Sequence, residues 1–341
     1  MGRATRVGLA VAALLLIALA GGYAAFWYVA ASRLEDGFAR LAAALRPHKL
    51  ELAWQSARAG GFPLALRVDL RGVELRDRAA VAASVTRLPR LDASAAPWNF
   101  SVWRLAAPDG IELRAGAGPA PVATASAKTA TGSLFLPPAG GTRAWLDLVR
   151  PRADAGVSLA AQNADLWLVL PQHPPRDDRD AALGVAVDAW KVRLPSVPAP
   201  LRNPLDELSF GITVRGPVPT TPPKQAAAAW RDAGGTADID HFTLRSGALT
   251  IAGSGTFALD ALLQPEGSFS VAVEDYPALL QALVADGRLR QDEADLAGLA
   301  LSLLAKPGPD GEPEIKTSLR MQHGKMFLGP VRIGPAPHID W

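Results

Sequence analysis

The sequence predicts an α+β fold dominated by strand, with curved antiparallel sheets packed by a few helices after one N-terminal transmembrane helix. Three observations predict it. An uncharged stretch runs from Val7 to Ser32. Beyond it, apolar residues recur with period two in many short runs, which is the mark of half-buried strands. Gly, Pro, Asp and Asn bound those runs, as hairpins and sheet crossings require.

The uncharged stretch comes first. About 20 apolar residues cross the hydrocarbon core of a bilayer, so Val7 to Ser32 is long enough to span it. Arg3 and Arg6 precede it with no acidic neighbour, whereas Arg33 is followed by Glu35 and Asp36. The positive flank places the N-terminus in the cytoplasm. Tyr23, Phe26, Trp27 and Tyr28 form an aromatic belt near the far end, where amphipathic rings favour the headgroup region. The rival reading is a cleaved signal peptide, because Ala18-Leu19-Ala20 before Gly21 has the small-x-small form of a cleavage site. A cleaved segment needs only 7–15 apolar residues, and here apolarity runs on through Ala31. The first unit is therefore 1–32, a cytoplasmic stub and anchor.

The second unit, 33–52, is a juxtamembrane amphipathic helix. Leu34, Phe38, Leu41 and Leu45 share one helical face, and Pro47 is placed to end it. It is either an interfacial helix or a stalk packing on the first strands. The remainder, 53–341, is the β-rich domain. Gly60-Gly61-Phe62-Pro63 reads as a structural turn, with Phe62 as a buried plug at the end of the sheet. Leu64, Leu66, Val68 and Leu70 then alternate with Ala65, Arg67 and Asp69, and the pattern resumes after Gly72.

Similar runs follow at 111–113, 133–136, 166–170, 183–189, 210–214, 243–251 and 269–273. Helices are predicted at Thr142 to Val149, Tyr276 to Asp286 and Gln291 to Lys306, from their caps and apolar spacing. Pro-rich loops lie at 171–175, 195–204, 217–223 and 307–313, and 217–235 is a candidate subdomain boundary with room for a helical turn at Ala226 to Trp230.

Composition excludes several functions. The chain has no cysteine, which removes disulfides and thiolate metal sites. Its pI near 9.0 does not signal nucleic acid. Of 35 basic residues, Arg3 and Arg6 lie before the anchor, and the other 33 balance 33 acidic ones. No catalytic residue or cofactor is predicted. His48, His173, His241, His323 and His338 form no i, i+4 pair, so no zincin-type metal site is predicted. Gly253-Ser254-Gly255-Thr256-Phe257-Ala258 matches a dinucleotide fingerprint by letter, but strand continues where the mechanism needs a helix N-terminus. Asp177, Asp178 and Asp180 read as solvated loop charge.

The anchor, the amphipathic helix, Gly60-Gly61-Phe62-Pro63-Leu64 and the ending from Gly324 to Pro337 carry a resemblance. In these the chain resembles domain of unknown function family 2125, uncharacterised anchored envelope proteins of bacteria. The glycine-and-proline ending also looks like that of proteins with AsmA-like architecture. The resemblance implies envelope maintenance and lipid handling. With the anchor and charge pattern read above, the expectation is a single-pass protein of the bacterial inner membrane with its C-terminal domain in the periplasm, whose partners are the membrane, lipid or envelope proteins and not nucleic acid. It assigns no catalytic residue.

The three predicted helices are too short to cover every alternating strand. An apolar groove for an acyl chain is therefore expected along Phe210, Ile212, Phe257, Phe269 and Val271, against the alternative that two β layers close over them. The predicted function is to bind or help transfer a lipid or other amphipathic molecule. A non-catalytic envelope scaffold or assembly factor and an envelope enzyme are the alternatives.

Overall fold

The computed structural model describes residues 19, 21–33, 37, 39–40, 42–78, 83–116, 121–194, 204–219, 221–285, 287, 289–302, 305–307, 313–328 and 331–339. Of the described residues 55% are strand and 19% helix, so the chain is predominantly β as the alternation predicts. The strands join in one open, curved antiparallel sheet where several sheets were expected.

The sheet is a meander in which each long strand pairs with the one before and the one after it. β1 (Leu50–Ala53) and β2 (Ser56–Gly60) run in one register along β3 (Leu66–Asp77). On the other side of β3 lies β4 (Ser84–Ala96), followed by β5 (Asn99–Ala107) and β6 (Ile111–Ala115), which return along it. β7 (Ala123–Ala127) pairs with β6 and β8 (Thr129–Phe135) with β5. Next come β9 (Thr142–Val149) and β10 (Arg152–Asp154), then β11 (Ser158–Ala160) and β12 (Asn163–Leu170). Five long strands follow in sequence: β13 (Ala181–Val192), β14 (Leu205–Arg215), β15 (Thr236–Ser246), β16 (Leu249–Leu259) and β17 (Pro265–Glu274). β19 (Pro313–Gln322) pairs with β17 and also with the short β18 (Lys306–Pro307). β20 (Lys325–Leu328) and β21 (Val331–Pro335) close the sheet.

Because the chain reverses after each full crossing of the sheet, made by one long strand or by two short ones in line, alternate reversals fall at the same end. The connections at 61–65, 97–98, 136–141, 171–180, 216–235 and 260–264 share what is here called the front end. The turns at 155–157 and 247–248 lie at the opposite, back end.

Three helices lie in the second half of the chain among the described residues. α1 (Pro223–Asp232) fills the 217–235 stretch, between β14 and β15, which pair directly. Trp230 of α1 is buried and donates its indole N–H to the Arg215 carbonyl at 2.6 Å. Gly235 leaves room for that ring, since a Cβ there would lie 2.3 Å from the indole nitrogen. α2 (Tyr276–Ala285) packs on β16, on β19 and on α3 (Gln291–Ser302), burying Tyr276.

Several expectations need correction. Thr142 to Val149 is the central strand β9, bonded on both sides by β8 and β12. The helix-start and stop residues that flank it are equally compatible with a strand. Thr, Trp and Val suit a pleated surface, and two paired edges outweigh weak local preference. The run at 243–251 is two strands joined through Gly247. α3 is described as far as Ser302, residues 303 and 304 lie outside the described residues, and Lys306 pairs with Glu314 in a short strand rather than ending the helix. The α-helix ends before Pro47, as expected. Residues 42–45 are helical, a 3-10 turn continues through Arg46–His48, and Lys49 closes it with φ of 60°.

Among the described residues no helix is long and apolar enough to cross a membrane, and residues 1–18 of the predicted anchor lie outside them. Leu34, Phe38 and Leu41 of the predicted amphipathic face also lie outside. Residues 21–33 are helical and dock on the sheet at its front end. Trp27 and Ala31 are buried against Leu66, with Ala59 alongside. The Trp27 indole N–H donates to the Ala65 carbonyl at 3.0 Å, and the Tyr23 hydroxyl donates to the Pro63 carbonyl. Tyr23, Trp27 and Tyr28 surround the Phe62 ring, at centroid distances of 6.4, 5.4 and 6.2 Å.

Trp27 is thus part of the folded body, whereas Phe26 and Tyr28 stay exposed. The Gly60–Pro63 segment does form the turn between β2 and β3. Phe62, however, is 50% exposed, so it is the outer ring of an aromatic cluster rather than a buried plug. An incoming helix, invisible to local pattern, supplies its neighbours.

Candidate apolar binding face

Directly opposed residues in neighbouring strands point to the same face, so the registers trace which side chains line up across the sheet. One such row starts at Val68 and passes through Ala93, Leu105, Gly132 and Leu146. It continues through Leu166, Val187, Phe210, Phe242, Gly253 and Val271 to Thr317. A second row, one pleat nearer the front end, runs from Leu66 through Trp103, Leu168, Val185 and Ile212 to Phe269 and Leu319. Neither row contains a charged residue.

Together they form an apolar lane across twelve paired strands, β3 to β19. With strands 4.7–4.9 Å apart, the lane is roughly 50 Å long.

All five residues of the expected groove lie on this face. Phe210 and Val271 belong to one row, and Ile212 and Phe269 to the other. Phe257 stands opposite Ala237, which stands opposite Val214, two residues from Ile212. Their cover differs. Val271 is buried, Ile212, Phe257 and Phe269 are half-buried, and Phe210 is 37% exposed. The dinucleotide-like string has a packing role on the same face. A Cβ on Gly253 would lie 2.6 Å from the Phe242 ring, and one on Gly255 would lie 2.5 Å from the Phe269 ring. The two glycines let these aromatic rings lie against the strand.

The opposite face is polar. Asp147, Asp165, Asp188 and Ser209 stand side by side on β9, β12, β13 and β14. Burial pushes the Asp165 carboxyl above its usual range, and the neighbouring carboxylates of Asp147 and Asp188 push it further. On this face a cleft of about 330 Å³ lies between Trp167, Val169, Gly184, Gly211, Thr213 and His241, and of the five groove residues only Ile212 borders it. Thr213 donates to Asp240 at 2.8 Å, and the buried Ser209 hydroxyl donates to Asp188 with the His241 ring 3.2 Å away.

That trio does not have the order of a nucleophile–base–acid relay. There the carboxylate orients the histidine, whereas here it takes the serine proton. Among the described residues no group of three or more His, Asp or Glu is arranged to hold a metal ion.

Sequence reasoning missed most of the lane's length. β4 reads poorly because Pro89 interrupts it and its inward residues Ala93 and Ala95 are small. Alternation of alanine with polar residues at 91–96 is the signal that could have found it. The docking of Trp27 on Leu66 had no local signal.

No curated protein and no solved structure matches the chain. A family model, described as an uncharacterized protein conserved in bacteria, matches residues 27–337, which takes in the lane, the polar face and Trp27 but not Tyr23. The chain belongs to that family, DUF2125.

Proposed function

We propose that this protein binds a lipid or another amphipathic envelope molecule along the apolar lane and helps to transfer it, from the periplasmic side of a bacterial inner membrane. The observation that carries the reading is the lane itself. A soluble sheet ordinarily buries an apolar face completely, and contiguous exposed apolar surface marks a binding site. Here the rows from β9 to β15 are apolar yet remain half open at Leu146, Leu166, Val187, Phe210 and Phe242. The lane is long enough to hold acyl chains, and an open curved sheet of this kind accords with the AsmA-like resemblance of the sequence.

The placement rests on Val7 to Ser32 as a retained anchor with Arg3 and Arg6 on its cytoplasmic side. The buried contacts of Trp27 explain why apolarity continues past the possible cleavage site, so they serve either reading of the first twenty residues. The cleavage site itself is tested by N-terminal sequencing of the membrane-extracted protein. Retention requires that the chain begin before Ala18.

Native mass spectrometry of the full chain after gentle extraction tests the function. A co-purifying lipid is expected, and it should be lost in Val187→Asp, which places a charge in the middle of the lane. Lipid-free protein, together with equal uptake of a fluorescent fatty acid by wild type and Val187→Asp, would refute the lane as a binding site. A reporter enzyme active only outside the cytoplasm, fused after Trp341, tests the orientation. Silence from that fusion beside an active cytoplasmic reporter reverses it.

A further inference from the structure

The front end of the sheet differs from the back end in a way the lane does not explain. The three front-end connections nearest the docked N-terminal segment contain no charged residue: 61–65, 97–98 and 136–141. They raise large apolar side chains into the open. Leu64 is 72% exposed and Trp98 70%, with Phe100 and Leu136 exposed beside them. The first two tips are neighbours, since Leu64, Asn99 and Val102 border one hollow of about 310 Å³. The next front-end connection, 171–180, carries Arg176, Asp177, Asp178, Arg179 and Asp180. Among the described residues at the back end of β3 to β12, the exposed large apolar residues are Val122 and Val157, with Trp190 exposed on the neighbouring β13.

The level of these tips follows from two hydrogen bonds. Tyr23 binds the Pro63 carbonyl and Trp27 the Ala65 carbonyl, so the 61–65 turn sits beside positions 23–27 of the N-terminal segment. A span of about 20 residues counted from Val7 leaves the hydrocarbon near residue 26. The turn and the end of the hydrocarbon therefore coincide. The segment also exposes Phe26, Tyr28 and Val29, which suits contact with lipid at the same depth.

We propose that the three charge-free tips embed in the headgroup region of the bilayer and seat the near half of the sheet on the membrane, while the charged 171–180 tip stays in water. This rests on the reading of Val7 to Ser32 as a span. The occupant of the patch is the lipid surface and not a second copy of the chain, because the segment docked against the patch is the one that continues into the uncharged stretch.

The absence of cysteine makes the test direct. Single variants Leu64→Cys, Trp98→Cys and Leu136→Cys, with Val122→Cys and Val157→Cys at the back end, are labelled with an environment-sensitive fluorophore. The full chain is then placed in nanodiscs of phosphatidylethanolamine and phosphatidylglycerol. Ala12→Cys reports on the span in the same preparations. The three front labels should shift to the blue and lose most of their emission to headgroup-level doxyl lipid, the back labels should do neither, and the Ala12 label should be quenched only by deep doxyl lipid.

A quenched Ala12 label with front labels in water overturns the seating and leaves the span standing. An Ala12 label that no doxyl lipid reaches overturns the span, and the seating with it. Front labels that are shielded but not quenched mean that protein covers the patch, and they overturn the proposal as well. The five sites exchanged on the sheet are exposed side chains, so these variants are expected to keep the wild-type circular dichroism spectrum.

Discussion

At the β3–β4 end of the apolar lane, Leu66, Val68 and Leu70 are sealed, none more than 3% exposed. Six strands on, Leu168, Val187 and Phe210 belong to the same rows and stand half open. The alternation is the same in both regions. The cover is not. At the first end the helical residues 21–33 lay Trp27 and Ala31 on Leu66, whereas in the middle Leu168 and Phe210 stay exposed beside a small core of Ala164, Ala189, Val192 and Leu205. A period-two pattern therefore states which face avoids water without saying whether protein or a ligand keeps the water away.

The largest expected effect breaks the sealed end. Trp27→Ala removes a buried ring and its hydrogen bond to Ala65, at a cost of about 3–5 kcal/mol. Urea unfolding should show a large drop in midpoint, and an unchanged midpoint would mean that the helix does not seal the lane. Leu66→Ala should cost about 2–5 kcal/mol. Leu168→Ala, in the open middle, should cost only on the order of 1 kcal/mol, since less of its surface leaves water on folding. Equal losses at the two positions would abolish the contrast between sealed and open regions.

Phe62→Ala removes ring contacts from a half-exposed position, so it should cost about 0.5–1.5 kcal/mol. That is well below the cost of a buried plug. A loss as large as that of Trp27→Ala would restore the plug reading.

The polar face sharpens the comparison through pH. The Asp165 carboxyl sits above its usual range in the folded state, so the native chain binds that proton before the unfolded chain does. Stability from this group therefore rises as pH falls through the folded pKa, and the charged form weakens the fold at neutral pH. Asp165→Asn should raise the melting temperature at pH 7 and lose the gain on mild acidification. A variant that still shows the full acid gain would place its origin elsewhere.

The smallest effect is expected from the pair of Arg215 and Asp238, joined at 2.5 Å. Arg215 holds the Asp238 carboxyl below its usual range, so the pair's contribution is present above the unfolded pKa and is lost as pH falls through the folded one. Because the guanidinium is 37% exposed, Arg215→Ala should cost no more than about 1 kcal/mol at neutral pH, measured by urea titration.

Much of the fold was legible where large apolar residues alternate. Leu66 to Leu75 became β3, and Phe210 to Val214 and Phe269 to Val273 fell inside β14 and β17. Tyr276 to Ala285 and Gln291 to Ser302 formed the helices that their spacing predicts. Thr142 to Val149 was misread because cap residues and a following proline are local signals, while strand pairing is not local. The five groove residues could be named because each is large and apolar in an alternating run. Their membership of one face depended on registers that include bulges, such as the one at Asp240 and His241 between Ile239 and Phe242. A single residue of slip there would turn half of the row to the other side.

The sequence by itself determined the β character, the uncharged N-terminal stretch, the balanced charge beyond it and the residues that must avoid water. These follow from side-chain chemistry and from spacing within a dozen residues, and they hold in any arrangement of the strands. Only the tertiary structure decided that the strands form one sheet, that two apolar rows run unbroken from β3 to β19, and that Trp27 closes one end of them. Those outcomes depend on hydrogen-bond registers between distant segments and on a helix meeting a turn some forty residues away. No local period encodes such meetings, because their free energy appears only when the partners are together.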